Sequence, residues 1–307
     1  MKIPHVPVLL EEVKKSFSGI DDGYIIDCTL GYAGHSEALL EQNPNIKLIG
    51  CDRDKTAIEF SKKRLERFKD RVIFENSNFS NIIKKYENYP IKGVLADIGV
   101  SSLQLDNKDR GFGFESDVLD MRMDKEASLS AYEVVNGYSQ SELEEIFRDF
   151  GEVREFKKAA SMIVEARGKD EIKSAKDLAY LFRNFKSKKG INPATLIFQA
   201  IRIEVNDELG ELVGLLKSIE DANLRDTIVG IISFHSLEDR IVKRTFKEWS
   251  KSCICPDGVM KCVCGNNHSL GRIVTKKPLV ASKEEMRQNP RSRSAKLRVF
   301  YLEGRDE

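Results

Sequence analysis

The chain has 307 residues, 41% of them apolar, and its 50 Lys plus Arg against 49 Asp plus Glu leave a net charge of +1. That length suits two domains better than one, and the near-neutral charge points to no partner by itself. No apolar run reaches the roughly 18–20 residues of a membrane span, and Met1–Leu10 lacks the apolar stretch and cleavage site of a signal peptide. A cytoplasmic protein with no membrane partner is the expectation.

The first hundred residues alternate strand and helix. Tyr24–Leu30 reads as a short apolar strand running into Gly31-Tyr-Ala-Gly34, with a helix over Ser36–Glu41. Lys47–Asp52 is a second strand, followed by an amphipathic helix from Lys55 to about Phe68. Val72–Glu75 and Gly93–Ile98 supply the third and fourth strands. Strands separated by helices imply a parallel sheet covered on both faces, a doubly wound α/β fold.

Beyond about Asp109 the rhythm changes. Ser139-x-x-Glu142 is a capping box, after which Leu143, Ile146, Phe147 and Phe150 recur at helical spacing up to Gly151. Phe156, Ala159, Ala160, Ile163 and Val164 mark a second helix, and Leu178, Leu181, Phe182 and Phe185 a third. Residues 109–190 therefore read as an all-helical insertion between 1–108 and 191–307. A long helix follows, with Pro193 in its first turn and an apolar line through Ile197, Ile201, Val205, Leu209, Leu212 and Leu216. The α/β pattern resumes with a strand at Thr227–Phe234, a basic helix at Ser236–Ser250 holding Trp249, and a closing strand at Lys296–Leu302.

Glycines at the carboxyl end of a first strand allow close backbone approach to a ligand before a helix N-terminus. The second strand ends in Asp52, 21 residues after Gly31, a spacing that suits a carboxylate accepting from ribose hydroxyls. Together they indicate an adenosine-containing cofactor. A dinucleotide needs Gly-x-Gly-x-x-Gly with room for pyrophosphate. Here only Gly31 and Gly34 are present, and Tyr32 and Ala33 would crowd a phosphate, which favours S-adenosylmethionine over NAD. The fourth strand delivers Asp97 to the same edge, with Gln104 close behind; the alternative is that Asp97 caps a helix and Gln104 is a surface residue. Phe112 and Phe114, in a segment dense in charge, could stack a base or belong to a core.

Two basic clusters stand out, Lys186, Lys188 and Lys189, and the C-terminal Arg287, Arg291, Arg293, Lys296 and Arg298; either could hold phosphate or be solvated surface. Cys28 and Cys51 sit in strand-like runs as small buried thiols. Cys253-x-Cys255 and Cys262-x-Cys264, with His268 nearby, could supply tetrahedral zinc ligands. Cys-x-Cys is tighter than the commoner two-residue spacing, so an unmetallated loop is the expectation.

Strings along the whole chain resemble the bacterial small-subunit ribosomal RNA cytosine-N4 methyltransferases. They are His5-x-Pro-Val-Leu-Leu10, Gly34-His35-Ser36, Asp97-Ile-Gly-Val-Ser-Ser102 with Gln104-Leu-Asp106, and Arg110-Gly-Phe112. Further on come Leu119-Asp-Met-Arg-Met-Asp124, Asn192-Pro-Ala-Thr195 with Phe198-Gln-Ala-Ile-Arg-Ile203, Ile232-Ser-Phe-His-Ser-Leu-Glu-Asp-Arg240 and Asn289-Pro-Arg-Ser-Arg-Ser-Ala295. The resemblance implies a class I (Rossmann-like) methyltransferase sheet carrying an inserted helical substrate-recognition domain. It implies S-adenosyl-L-methionine as cofactor and 16S ribosomal RNA, within the small ribosomal subunit, as partner, with a decoding-centre cytidine as target and no role for DNA. Carried over position by position, the cofactor contacts are Ala33, Gly34, His35, Asp52, Phe79, Asp97 and Gln104. Ala33, Leu103 and Asn192 stand where the family usually has glycine, proline and histidine. Methylation at N4 needs no covalent cysteine step, and Asp97 is the expected catalytic proton acceptor. Arg291 and Arg293 are the expected RNA contacts.

Overall fold

Runs such as Ile25-Ile26, Leu48-Ile49 and Val94-Leu95 send successive apolar side chains to opposite faces of a strand, so a sheet built from them must be covered on both sides. The computed structural model describes residues 7–185, 193–256, 258 and 261–304. His5, Lys186, Lys188, Lys189 and Asn192, singled out above, lie outside the described residues. The chain divides into two compact units, Met1–Gly99 with Gly210–Glu307, and Val100–Leu209.

The first unit opens with helix α1 (Leu10–Phe17), then β1 (Gly23–Asp27), α2 (Gly34–Gln42), β2 (Ile46–Asp52), α3 (Lys55–Arg64), β3 (Val72–Asn76), α4 (Ile82–Lys85) and β4 (Ile91–Asp97). The second holds α5 (Ser102–Asp106), α6 (Ala131–Gly137), α7 (Gln140–Asp149), α8 (Phe156–Arg167), α9 (Ala175–Leu181) and α10 (Pro193–Asn206). Helix α11 (Glu208–Asp221) leads back to β5 (Thr227–Ser233), α12 (Ser236–Trp249), β6 (Gly271–Ile273), β7 (Leu279–Val280), α13 (Lys283–Gln288) and β8 (Lys296–Leu302). Most strand boundaries fall within one to three residues of those read from the sequence. Helices α1, α4, α5, α6 and α13 and the short strands β6 and β7 were not foreseen, although α1 is amphipathic and buries Val13 and Phe17.

The sheet order is β3-β2-β1-β4-β5-β8-β6, with β7 also on β8. The first five strands are parallel, and β8 runs antiparallel to β5 with Thr227 opposite Leu302. This is the Rossmann-like sheet expected. Its order reverses between β1 and β4, and open α/β sheets bind ligands in the crevice beyond the strands' carboxyl ends at that switch. Ile26, Ile49, Val94 and Ile231 form one core with Leu212, Leu216, Val242 and Phe246. Ile25, Leu48, Leu95 and Ile232 form the other with Val13, Phe17, Leu39 and Ile58.

In the second unit the Ser139–Glu142 capping box is present as expected, and an unforeseen one, Ser130–Glu133, starts α6. The segment after α5 is folded on itself rather than open. Arg110 is buried and its Nη2 donates to the carbonyls of Arg122 and Met123 at 3.1 and 3.0 Å. Arg122 forks onto Asp120 at 2.8 and 2.9 Å. The charge density that suggested a ligand loop serves the fold.

The long helix expected after Pro193 is two helices. Asp207 takes the left-handed backbone (φ 46°) between α10 and α11, and the Arg202 guanidinium grips Glu208 across the break at 2.7 and 2.9 Å. Ile197, Ile201 and Val205 belong to the helical core, whereas Leu212 and Leu216 belong to a sheet core. The units accordingly divide at Gly99/Val100 and Leu209/Gly210, not at 108/109 and 190/191, because α10 packs with the insertion.

Candidate functional site

The carboxyl edge of β1, β2 and β4 gathers the site. After β1 the chain turns through Gly31 (φ 50°) and Ala33 (φ 57°), and Ala33 caps α2. A non-glycine residue in this region costs about 1–2 kcal/mol, so the alanine at the usual glycine position keeps the glycine conformation at some expense. Side chains of α3 hold the turn from behind: Ser61 Oγ donates to the Gly31 carbonyl and Arg64 Nη1 to that of Tyr32, each at 2.8 Å. Gly34 is required for space, since a Cβ there would lie 2.3 Å from Cγ of Pro7.

Asp52 ends β2 with both carboxylate oxygens fixed by main-chain donors. Gly31 N–H reaches Oδ2 and Asp54 N–H reaches Oδ1, both at 2.8 Å. Each oxygen keeps a further lone pair, enough for two hydroxyl donors. Burial raises the Asp52 carboxyl to about 6 against the lowering by those N–H groups, Asp54's before Gly31's.

Asp97 ends β4. Its N–H donates to Thr29 Oγ1 at 2.6 Å, tying β4 to the residue after Cys28. The side chain keeps 26% of its surface, yet Oδ1 is buried with no partner among the described residues. Burial first, then the charges of Asp27 and Glu238, raise this carboxyl to about 8. His35 is buried in α2, where its Nε2 donates to the Val8 carbonyl at 2.9 Å and its Nδ1 lies 3.9 Å from Asp97 Oδ2. Burial lowers its pKa to about 4, so the ring is neutral at pH 7.

Two carboxylates of this cluster were missed from the sequence. Asp27 is buried beneath the turn, accepts from Ser36 Oγ at 2.5 Å and Thr29 N–H at 3.2 Å, and is raised to about 6 chiefly by burial. Glu238 is fully buried in the first turn of α12, where its Oε2 accepts from the N–H of Phe234 and His235 at 2.8 and 3.2 Å. Its other oxygen lies 3.0 Å from His235 Nε2, without the alignment of a hydrogen bond. The signals were in view: Asp27 is a charged residue closing an apolar strand, and His235 and Glu238 fall inside a string quoted for the resemblance without a role.

Other expected residues divide clearly. Phe79 is buried among Ile49, Cys51 and Ile83 after β3. Gln104 belongs to the helical unit, and its Oε1 accepts from Ser101 N–H at 3.0 Å. Phe112 is buried in the helical core, and Phe114 meets Phe198 edge-on at 4.7 Å, so the core alternative describes both. Arg298 and Lys296 pair with Asp239 at 2.7 and 3.3 Å and are structural members of the C-terminal basic cluster. Arg293 is exposed and Arg291 half-buried on the 3₁₀ turn Pro290–Ser294. The Sγ atoms of Cys253, Cys255, Cys262 and Cys264 lie within 4.8 Å of one another, while His268 Nε2 sits on the Cys264 carbonyl at 2.7 Å.

A cradle of this kind fits an adenosyl group with a cationic centre. Asp52 offers its two oxygens beside a turn of positive φ, and an unpartnered carboxylate oxygen waits at Asp97. Comparison with known proteins agrees. Ribosomal RNA small subunit methyltransferase H of Aliarcobacter butzleri is 62% identical over 303 residues, covering 99% of this chain and all of that one. The proteins of the same name from Campylobacter curvus and Campylobacter jejuni are 57% and 52% identical, each comparison covering 99% or more of both chains. Residues 2–302 match the family model described as the MraW methylase family, and the chain belongs to that family.

Proposed function

We propose that this protein transfers a methyl group from S-adenosylmethionine to N4 of a cytidine in 16S ribosomal RNA of the small ribosomal subunit. The observation that carries the reading is Asp97: a carboxylate at the end of β4, at the sheet's switch point, with one buried oxygen lacking a partner. When bound, the cofactor supplies an electrophilic methyl on a cationic sulfur. Asp52 receives the ribose hydroxyls, its oxygens held in place by Gly31 and Asp54. The exocyclic amine of cytosine is a weak nucleophile because its lone pair is delocalised into the ring. An acceptor on its protons favours the pyramidal, attacking geometry and stabilises the charge that develops. Asp97, in its ionised form, is that acceptor and takes the proton released as the new N–C bond forms and the methyl–sulfur bond breaks, with the neutral thioether as leaving group. His35 contributes a second lone pair through Nδ1, its tautomer fixed by the Val8 carbonyl.

The helical unit, Val100–Leu209, recognises the RNA around the target, and Arg291 and Arg293 contact phosphate. The names of the relatives support ribosomal RNA of the small subunit as the substrate. No helix among the described residues is long and apolar enough to cross a membrane, in keeping with a protein acting in the cytoplasm. Incubation with labelled methyl donor and small ribosomal subunits, followed by nucleoside analysis of the RNA, tests the reading. N4-methylcytidine is the expected product; label at another atom or in no RNA overturns it.

A further inference from the structure

Four of the six cysteines stand in the excursion between α12 and β6. The chain leaves and returns at one point, where Leu270 N–H donates to the Trp249 carbonyl at 2.8 Å and His268 N–H to that of Ser252 at 3.0 Å. Beyond that neck none of the loop's described residues belongs to an apolar core. Ile254 and Val263, the middle residues of the two Cys-x-Cys pairs, are 62% and 82% exposed. Yet the thiols turn inward: Cys253–Cys262, Cys262–Cys264 and Cys264–Cys253 are 3.6, 3.5 and 3.7 Å apart at sulfur, and Cys255 Sγ completes the group within 4.8 Å.

These separations have a specific meaning. Four sulfurs at ~2.3 Å from one zinc ion at tetrahedral angles lie about 3.8 Å from one another. A disulfide needs about 2.05 Å, and all four thiols are free. An iron–sulfur cluster, whose thiolates bind different irons, spreads its ligands further than a single ion does. The main chain is arranged to match. Ile254 N–H points at Cys264 Sγ and Val263 N–H at Cys255 Sγ, both at 3.4 Å. Each pair therefore donates across to the other in a near-symmetric way, as suits sulfurs carrying negative charge. His268 is not a fifth candidate, since its Nε2 is engaged by the Cys264 carbonyl.

We propose that Cys253, Cys255, Cys262 and Cys264 hold one structural zinc ion that closes this loop. Four protein ligands leave no open position for water or substrate, so the ion takes no part in methyl transfer. Its place in the fold agrees. Helix α12 starts at the carboxyl edge of the sheet beside β4 and runs 14 residues, about 21 Å, to Trp249. The loop returns where Glu303 N–H meets the Leu270 carbonyl, next to the start of β5. The site is thus at the amino edge, opposite Asp97. The proposal departs from the expectation of an unmetallated loop: tight Cys-x-Cys spacing can bring four sulfurs together because two such pairs face each other.

The test uses the full chain purified under reducing conditions. Elemental analysis is expected to give one zinc per chain after dialysis, and cobalt added to metal-stripped protein should give the intense visible bands of a tetrahedral tetrathiolate. The double variant Cys253→Ser/Cys264→Ser should lose at least tenfold in zinc content while keeping wild-type methylation turnover, and proteolysis within 253–264 should accelerate. Folded wild-type protein that takes up no zinc from excess overturns the proposal. So does zinc retained in full by the double variant, and iron found in place of zinc overturns the choice of metal.

Discussion

Nδ1 of His35 faces Oδ2 of Asp97 across 3.9 Å, and both atoms are acceptors once the carboxyl is ionised. The Val8 carbonyl can only accept, so it fixes the His35 proton on Nε2, and burial keeps the ring neutral. Two lone-pair donors held side by side, one on a buried ring and one on a partly exposed carboxylate, suit a ligand that brings protons or positive charge. A cytosine amine and a sulfonium are such ligands, and burial together with the charges of Asp27 and Glu238 disfavours the ionised form of Asp97.

The first expectation is chemical. Asp97→Asn keeps the shape and loses the proton acceptor, so the single-turnover methylation rate with saturating cofactor should fall roughly 10²–10⁴-fold. In the wild type the rate should climb with pH as the carboxyl ionises, and the variant should lose that rise. Near-normal turnover in the variant would leave Asp97 as a binding residue only.

The second concerns stability without ligand. The folded chain holds the Asp97 proton up to about pH 8, whereas the unfolded chain releases it near 3.8. Between those values the folded state binds more protons, so this stabilisation is full below the lower pKa and is lost as pH rises through the upper one. Asp97→Asn removes the cost of the buried charge. Its Tm at pH 8 should exceed that of the wild type by roughly 2–4 °C for each kcal/mol relieved, and the gap should close toward pH 4. Parallel melting curves across that range would contradict the buried-charge account.

For Asp52, the assay is calorimetric. Asp52→Ala removes two acceptors for hydroxyls and should weaken S-adenosylmethionine binding by about 1.5–3 kcal/mol, the range for hydrogen bonds to a charged group. Unchanged affinity would sink its assignment to the ribose.

The turn offers a matched pair of opposite sign. Ala33→Gly relieves a left-handed alanine and should stabilise the protein by about 0.5–1 kcal/mol, net of the entropy of an added glycine. Gly34→Ala forces a Cβ onto the Pro7 ring and should cost about 1–3 kcal/mol. Denaturant midpoints decide both; equal effects of the same sign would contradict the conformation described for the turn.

Neutralising Arg291 and Arg293 should weaken RNA binding and lower the slope of log affinity against log salt by about 0.7–0.9 for each phosphate left without its cation. Arg298 gives the contrast: it is buried against Asp239, so its replacement should reduce Tm. A salt slope unaltered in the Arg291/Arg293 variant would assign those two side chains to the surface.

The sequence by itself determined β1 to β5 and β8, because each is an apolar run bounded by turn residues and strand geometry needs no distant information, whereas the short β6 and β7 exist only by pairing with β8. It also placed Asp52 and Asp97 at the sheet's carboxyl edge, since each closes a parallel strand and that end faces the binding edge wherever the strand lies in the sheet. Tertiary structure decided the rest. The apolar line from Ile197 to Leu216 has one helical period throughout, and only the break at Asp207 and packing against two cores assign its halves to different helices and units. The charges of Asp27 and Glu238 converge on Asp97 from β1 and α12, elements far apart in the sequence; burial that raises a pKa is a property of neighbours, which no local pattern encodes. Likewise, two Cys-x-Cys strings are ambiguous alone, and the convergence of their four sulfurs comes from a neck of main-chain hydrogen bonds that sets them face to face.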